Sequence, residues 1–106
     1  MKRKLTLAER FGILGVLPDK GNFVTMRTLR DLREVLMPSD AEVSKYKIKQ
    51  VGQQIQWNQK FRDITKEFDL GKTATRIIED RLEELDKNKE LTPNLISVFE
   101  KFVKSE

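Results

Sequence analysis

At 106 residues, with 38% hydrophobic and 36% charged side chains and a formal net charge of +4, the chain has the size and composition of one highly charged globular domain. It contains no cysteine and no histidine, which excludes disulfides, thiolate chemistry, Cys- or His-ligated zinc and catalysis through a histidine base. A non-enzymatic protein without cofactor or metal is expected, and a cytoplasmic one, because no stretch approaches the roughly 20 apolar residues of a membrane span and no apolar block follows the basic run Met1-Lys2-Arg3-Lys4.

Thr6 and Glu9 form a T-x-x-E capping box, so a first helix is predicted from Leu7. Leu7, Phe11 and Leu14 share one face of it. Ala8, Gly12 and Gly15 line an adjoining face of small residues and predict a close helix contact, since glycine inside a helix costs about 1 kcal/mol unless something packs against the backbone. The turn at 17–21 ends this helix through Pro18 and Gly21. Asn22-Phe23-Val24 reads as a short extended piece and Thr25 as the N-cap of a second helix, with Met26, Leu29, Leu32, Val35 and Leu36 as its buried face. Pro38 stops that helix, and a second capping box, Ser39 with Glu42, predicts a short third helix to about Ser44.

Residues 46–57 carry the clearest strand signal. With Val51 and Gly52 at the turn, Ile48 falls opposite Ile55 and Tyr46 opposite Trp57, while Lys45, Lys47, Lys49, Gln54 and Gln56 point the other way. A hairpin with one greasy and one basic, amide-rich face is expected, Gly52 taking positive φ. Residues 59–70 fit both periods, and a strand near 65–70 extending the hairpin is the favoured reading. Ala74, Ile77, Ile78, Leu82 and Leu85 then recur at spacings of three and four, predicting a long amphipathic helix over 72–86. After a polar connection, Thr92 and Pro93 open a last helix whose apolar face is Leu95, Ile96, Phe99, Phe102 and Val103, packed against the long one. The fold class is α+β, mostly helical, with about five helices and a small antiparallel hairpin or three-stranded sheet.

Two motifs dissolve on inspection. Gly71-Lys72-Thr73 resembles the end of a phosphate-binding loop, but the glycine needed five residues earlier is Lys66. Glu79, Asp80, Glu83, Glu84 and Asp86 spread along a helix as ordinary solvated charge rather than converging on a cation.

What remains is binding. Within the single domain 1–106, residues 1–62 hold 13 Lys and Arg against 6 Asp and Glu, and residues 63–106 hold 8 against 11. Arg27, Arg30, Arg33, Lys45, Lys47 and Lys49 are the candidate contacts to nucleic acid or an acidic partner; for the arginines, a solvated flank with local ion pairs to Asp31 and Glu34 is the plainer reading. Tyr46, Trp57 and Phe61 are the candidate protein interface, since large aromatics favour such surfaces. A small protein-interaction module, self-associating or docking on another protein, is the leading expectation. Its alternative is a winged-helix-like protein with electrostatic nucleic-acid contacts, because helix, extended piece, helix, short helix and basic hairpin is the order such domains use. Asp40 and Glu42 at the start of the third helix oppose the phosphates that reading needs.

Leu5-Thr6-Leu7-Ala8-Glu9-Arg10, the run 17–22, Gln56-Trp57-Asn58 and Leu91-Thr92-Pro93 through Phe99-Glu100-Lys101-Phe102 together resemble small uncharacterised proteins encoded by phages and prophages. That resemblance implies a virus-encoded accessory or assembly-related role in a host cytoplasm. It carries over no functional residue, since its motifs are caps and core positions.

Overall fold

Local capping chemistry sets most element boundaries in the computed structural model, which describes residues 2–103; Met1 of the basic run lies outside the described residues. The order is β1 (Lys2–Thr6), α1 (Leu7–Val16), α2 (Phe23–Leu36), α3 (Asp40–Tyr46), β2 (Lys49–Val51), β3 (Gln54–Gln56), β4 (Thr65–Asp69), α4 (Lys72–Lys87) and α5 (Ile96–Phe102), with single 3-10 turns at Gln59–Phe61 and Pro93–Leu95. The fold is α+β and mostly helical. Both capping boxes form: Thr6 with Glu9 opens α1 and Ser39 with Glu42 opens α3. At α2 the cap lies three residues before the expected one. Asn22 accepts the Thr25 N–H at 2.8 Å, so Phe23 and Val24 are the first helical turn and the extended piece between α1 and α2 does not exist. Asparagine outranks threonine as an N-cap, and here it comes first in the chain.

The strand at Thr65–Asp69 is present but does not extend the hairpin. It pairs antiparallel with β1, Lys2 opposite Asp69 through Thr6 opposite Thr65, while β2 and β3 form a separate two-stranded sheet. Only Leu5 of β1 gives an inward apolar signal. The pairing supplies the rest: Arg3, Leu5, Lys66 and Phe68 take the face toward the core, and Lys2, Lys4, Glu67 and Asp69 alternate in charge on the other.

One apolar core joins the basic and acidic parts, from Leu5 and Ile13 through Leu29, Leu36 and Phe68 to Ile78, Leu82 and Phe102. On α4 the expected stripe holds, with Ala74, Ile78, Leu82 and Leu85 buried and Ile77 packed at its margin. Three positions differ from expectation. Val35 is 50% exposed, leaving Leu29, Leu32 and Leu36 as the buried face of α2. Ile13, rather than Phe11 or Leu14, is the deepest residue of α1. In α5 the buried set is Leu95, Val98 and Phe102, with Ile96 exposed, because the preceding turn is wound at three residues per turn and rotates the face. The close approach expected on the small face of α1 is made at Gly12 alone: a Cβ there would lie 3.3 Å from the Leu95 side chain, whereas Gly15 has open space.

Helix C-termini expose carbonyls that no intrahelical donor can reach, and three arginines distant in sequence fill that role. Arg10 Nε donates to the Leu36 carbonyl that ends α2 at 3.0 Å, Arg81 Nε to the Val16 carbonyl that ends α1 at 2.7 Å, and Arg3 Nε to the Lys101 carbonyl near the end of α5 at 3.0 Å. Each bond places a cation where the helix dipole favours one. Each also joins two elements that the core alone would hold only by contact.

Candidate nucleic-acid interface

The hairpin arm begins where α3 ends. Lys47 terminates α3 in the left-handed conformation (φ 55°), its N–H donating to the Val43 carbonyl, and the Ile48 N–H reaches the same oxygen at 3.0 Å. β2 and β3 follow, with Lys49 opposite Gln56, Gln50 opposite Ile55 and Val51 opposite Gln54. The pairing is therefore slid by two residues from the expected one. Gly52 and Gln53 form the loop, and Gly52 alone of the two has positive φ (63°), the φ pattern of a type II′ turn. This slide removes Val51 from a turn position that a β-branched side chain fits poorly. Tyr46 belongs to α3 rather than to the hairpin, so the greasy hairpin face is reduced to Ile55 among the paired residues. All six strand residues are exposed on both faces.

Aromatic pairs root this arm in the body. Trp57 stacks on Phe11 of α1 with ring centroids 5.5 Å apart, Tyr46 on Phe61 at 5.0 Å, and the Asn58 N–H donates to the Tyr46 carbonyl at 3.0 Å. Trp57, Tyr46 and Phe61 are thus half-buried, Trp57 against Phe11 of α1 and Tyr46 and Phe61 against each other. The indole N–H of Trp57 is buried without an acceptor among the described residues. A shallow groove of about 250 Å³ beside it is lined by Lys47, Lys49, Gln56, Trp57 and Asn58.

The lysines of the arm are exposed, and among the described residues none of Lys45, Lys47, Lys49 and Lys60 forms an ion pair. Lys45 lies over the Tyr46 ring and Lys60 over the Phe61 ring. The surrounding sequence adds to them: from Val43 to Arg62 there is no acidic residue, while Lys45, Lys47, Lys49, Lys60 and Arg62 are interleaved with Gln50, Gln53, Gln54, Gln56, Asn58 and Gln59.

The three arginines of α2 do not join this surface as a row. Arg33 donates to the Pro18 carbonyl at 3.3 Å, Arg30 lies 3.8 Å from Asp31 in solvent, and Arg27 lines a different groove with Asp31, Asp69 and Lys72. A three-residue step turns 300° on a helix, so side chains at this spacing drift apart.

Of the two carboxylates that counted against phosphate contact, Asp40 stands exposed at the start of α3 and Glu42 is engaged inside the protein. Glu42 receives the Arg10 guanidinium at 2.7 and 3.3 Å, caps the Ser39 N–H at 3.1 Å and lies 3.7 Å from Lys66. These bonds, the Arg10 contact foremost, outweigh partial burial and hold its carboxyl at about 2. Arg10 itself is 2% exposed and lies over the Phe68 ring. The other capping carboxylate, Glu9, is buried as well, which works to raise its pKa. Bonds from Lys101 at 2.6 Å, from the Thr6 N–H and from Ser97 overcome that and leave it below the ordinary carboxylate value. Each box carboxylate thus caps its own helix and ties it to a distant element.

α3 offers little for reading bases. Its exposed residues are Asp40, Ala41, Val43, Ser44 and Lys45, with no arginine and no amide side chain for a bidentate contact. Among the described residues no three acidic side chains are placed to hold a metal ion, and no helix is long and apolar enough to cross a membrane. Comparisons with protein families, characterised proteins and solved structures find no match to this chain.

Proposed function

We propose that this protein acts by binding, and that the arm 43–62 holds the sugar-phosphate backbone of nucleic acid through charge rather than base recognition. One observation carries this reading: twenty consecutive residues without an acidic side chain, folded so that the lysines stand in solvent with no carboxylate partner among the described residues. Phosphate oxygens are the acceptors such a surface lacks, and the amide side chains between the lysines add hydrogen bonds to backbone oxygens without selecting sequence. Stacking of Trp57 on Phe11 fixes the arm to α1, so its charges are presented from a supported base.

An anisotropy titration with a mixed-sequence duplex tests this. With four lysines at phosphates, the logarithm of the affinity should fall with the logarithm of salt at a slope of about −3 to −4, and unrelated duplexes should bind alike. Lys45→Glu, Lys47→Glu and Lys49→Glu together should abolish binding. No binding at low salt, or binding that is insensitive to salt and selective for sequence, would overturn the reading.

A second reading, a protein-interaction module that self-associates or docks on another protein, draws on Phe23 and Val24, which stand 77% and 64% exposed on the first turn of α2. Light scattering over a range of concentrations separates self-association from a hetero-partner. Either reading suits the virus-encoded accessory role that the sequence resemblance implies.

A further inference from the structure

We propose that β4 is a docking edge for an extended, basic segment of a protein partner, which adds to the β1–β4 ribbon as a third strand. In an antiparallel pair, residues alternate between exchanging both main-chain bonds with the neighbour and turning both groups away. The Thr6 N–H donates to Glu9 Oε1 at 2.9 Å and the Lys4 carbonyl accepts from Lys101 Nζ at 2.7 Å, so Lys2, Lys4 and Thr6 are the outward-turned residues of β1. By the register, their partners Asp69, Glu67 and Thr65 are the outward-turned residues of β4.

The two outer edges differ. On β1 three of the outward groups are already engaged: the Lys4 carbonyl by Lys101, the Thr6 N–H by Glu9 and the Lys2 carbonyl by Arg3 Nη1 at 3.3 Å. On β4 the main-chain N–H and C=O of Thr65 and Glu67 have no partner among the described residues, and both residues are exposed. An open edge of this kind is a template for another strand.

Charge decides which strand it accepts. Lys2 and Lys4 stand opposite Asp69 and Glu67 on the solvent face, with Lys2 3.9 Å from Glu67. A strand added on the far side of β4 runs beside Glu67, whose side chain is half exposed, and is favoured when it carries Lys or Arg opposite that carboxylate. A second β4 is disfavoured, because antiparallel pairing of outward-turned residues centred on Glu67 sets the two Glu67 side chains against each other, and centred on Phe68 sets Glu67 against Asp69. The β1 edge of a second copy is largely occupied by its own bonds to Lys101, Glu9 and Arg3. Beyond Asp69 the edge leads to an open groove of about 300 Å³ between α2 and the start of α4, with Leu32, Val35 and Leu70 in its wall. An antiparallel segment therefore places an apolar residue there, just before its alternating basic residues.

Amide hydrogen exchange with a blocked synthetic peptide, a leucine followed by lysines alternating with threonines, tests this on the intact protein. In the free protein the Lys66 and Phe68 amides are protected by β1 and the Glu67 amide is not. Peptide addition should slow Glu67 exchange on the order of tenfold or more. N-methylating the peptide at the residues whose N–H groups face β4 should abolish this effect, while N-methylating the alternate residues should leave it. A peptide with glutamates for the lysines should not bind, and Glu67→Gln, which removes only an exposed ion pair, should weaken binding of the basic peptide while moving the thermal midpoint little. No protection of Glu67 at saturating peptide, equal binding of both N-methylated forms, or a dimer formed through β4 would each overturn the proposal.

Discussion

Basic side chains gather in two places in this molecule and meet opposite fates. Around Arg10 every charge has a partner inside the protein: the guanidinium is shared between Glu42 and the end of α2 and lies over the Phe68 ring, and the neighbouring Glu9 holds Lys101. The arm 43–62 carries four lysines, and none of them forms an ion pair among the described residues. The difference lies in burial. A charge taken out of water must find its counter-charge in the same fold or destabilise it, whereas a charge left in water is free to meet one on another molecule. The first group belongs to folding and the second to binding, and substitutions should separate the two.

The largest effect is expected at Arg10. Arg10→Ala leaves Glu42 without its strongest partner and the Leu36 carbonyl without its donor, and should lower stability by about 3–5 kcal/mol in urea unfolding. If the variant unfolds like the parent, the cluster does not hold α1, α2 and α3 together as described. Acid titration comes next. Glu42 lies at about 2 in the folded protein against an ordinary 4.5, so its contribution is complete above pH 4.5 and is lost as pH falls toward 2. That loss amounts to about 3 kcal/mol at most. Glu9 is also lowered and adds in the same direction. Glu42→Gln should therefore flatten the fall in stability between pH 4.5 and 2 without abolishing it, as followed by circular dichroism at each pH.

Smaller effects sharpen the contrast. Lys47 and Lys89 both occupy left-handed backbone (φ 55° and 58°) that glycine adopts without strain. Lys47→Gly and Lys89→Gly should each raise stability by up to about 1 kcal/mol. Only the first should weaken nucleic-acid binding. Smallest in stability is Lys45→Ala with Lys49→Ala, which should change the unfolding free energy by no more than about 0.5 kcal/mol while reducing the salt slope of binding by about 2. A large stability loss there would mean that the arm's charges serve the fold.

Where the sequence was readable, the determinants were short-range. Thr6 with Glu9, Ser39 with Glu42 and the stripe from Ala74 to Leu85 are decided within a few residues, and α1, α3 and α4 follow from them. The candidate lysines Lys45, Lys47 and Lys49 were equally plain, because exposure is the default for lysine. The arginines of α2 were not, since whether Arg33 reaches the Pro18 carbonyl depends on where the turn after α1 folds back.

The residues alone thus determined the helices, the caps of α1 and α3 and the existence of a basic hairpin, because hydrogen bonds and periodicity act over three or four positions. Tertiary structure decided that β4 pairs with β1 across about sixty residues and that Glu9 and Arg10 turn inward to opposite partners. Those outcomes depend on which surfaces the closing core brings together, and no local rule reaches that far.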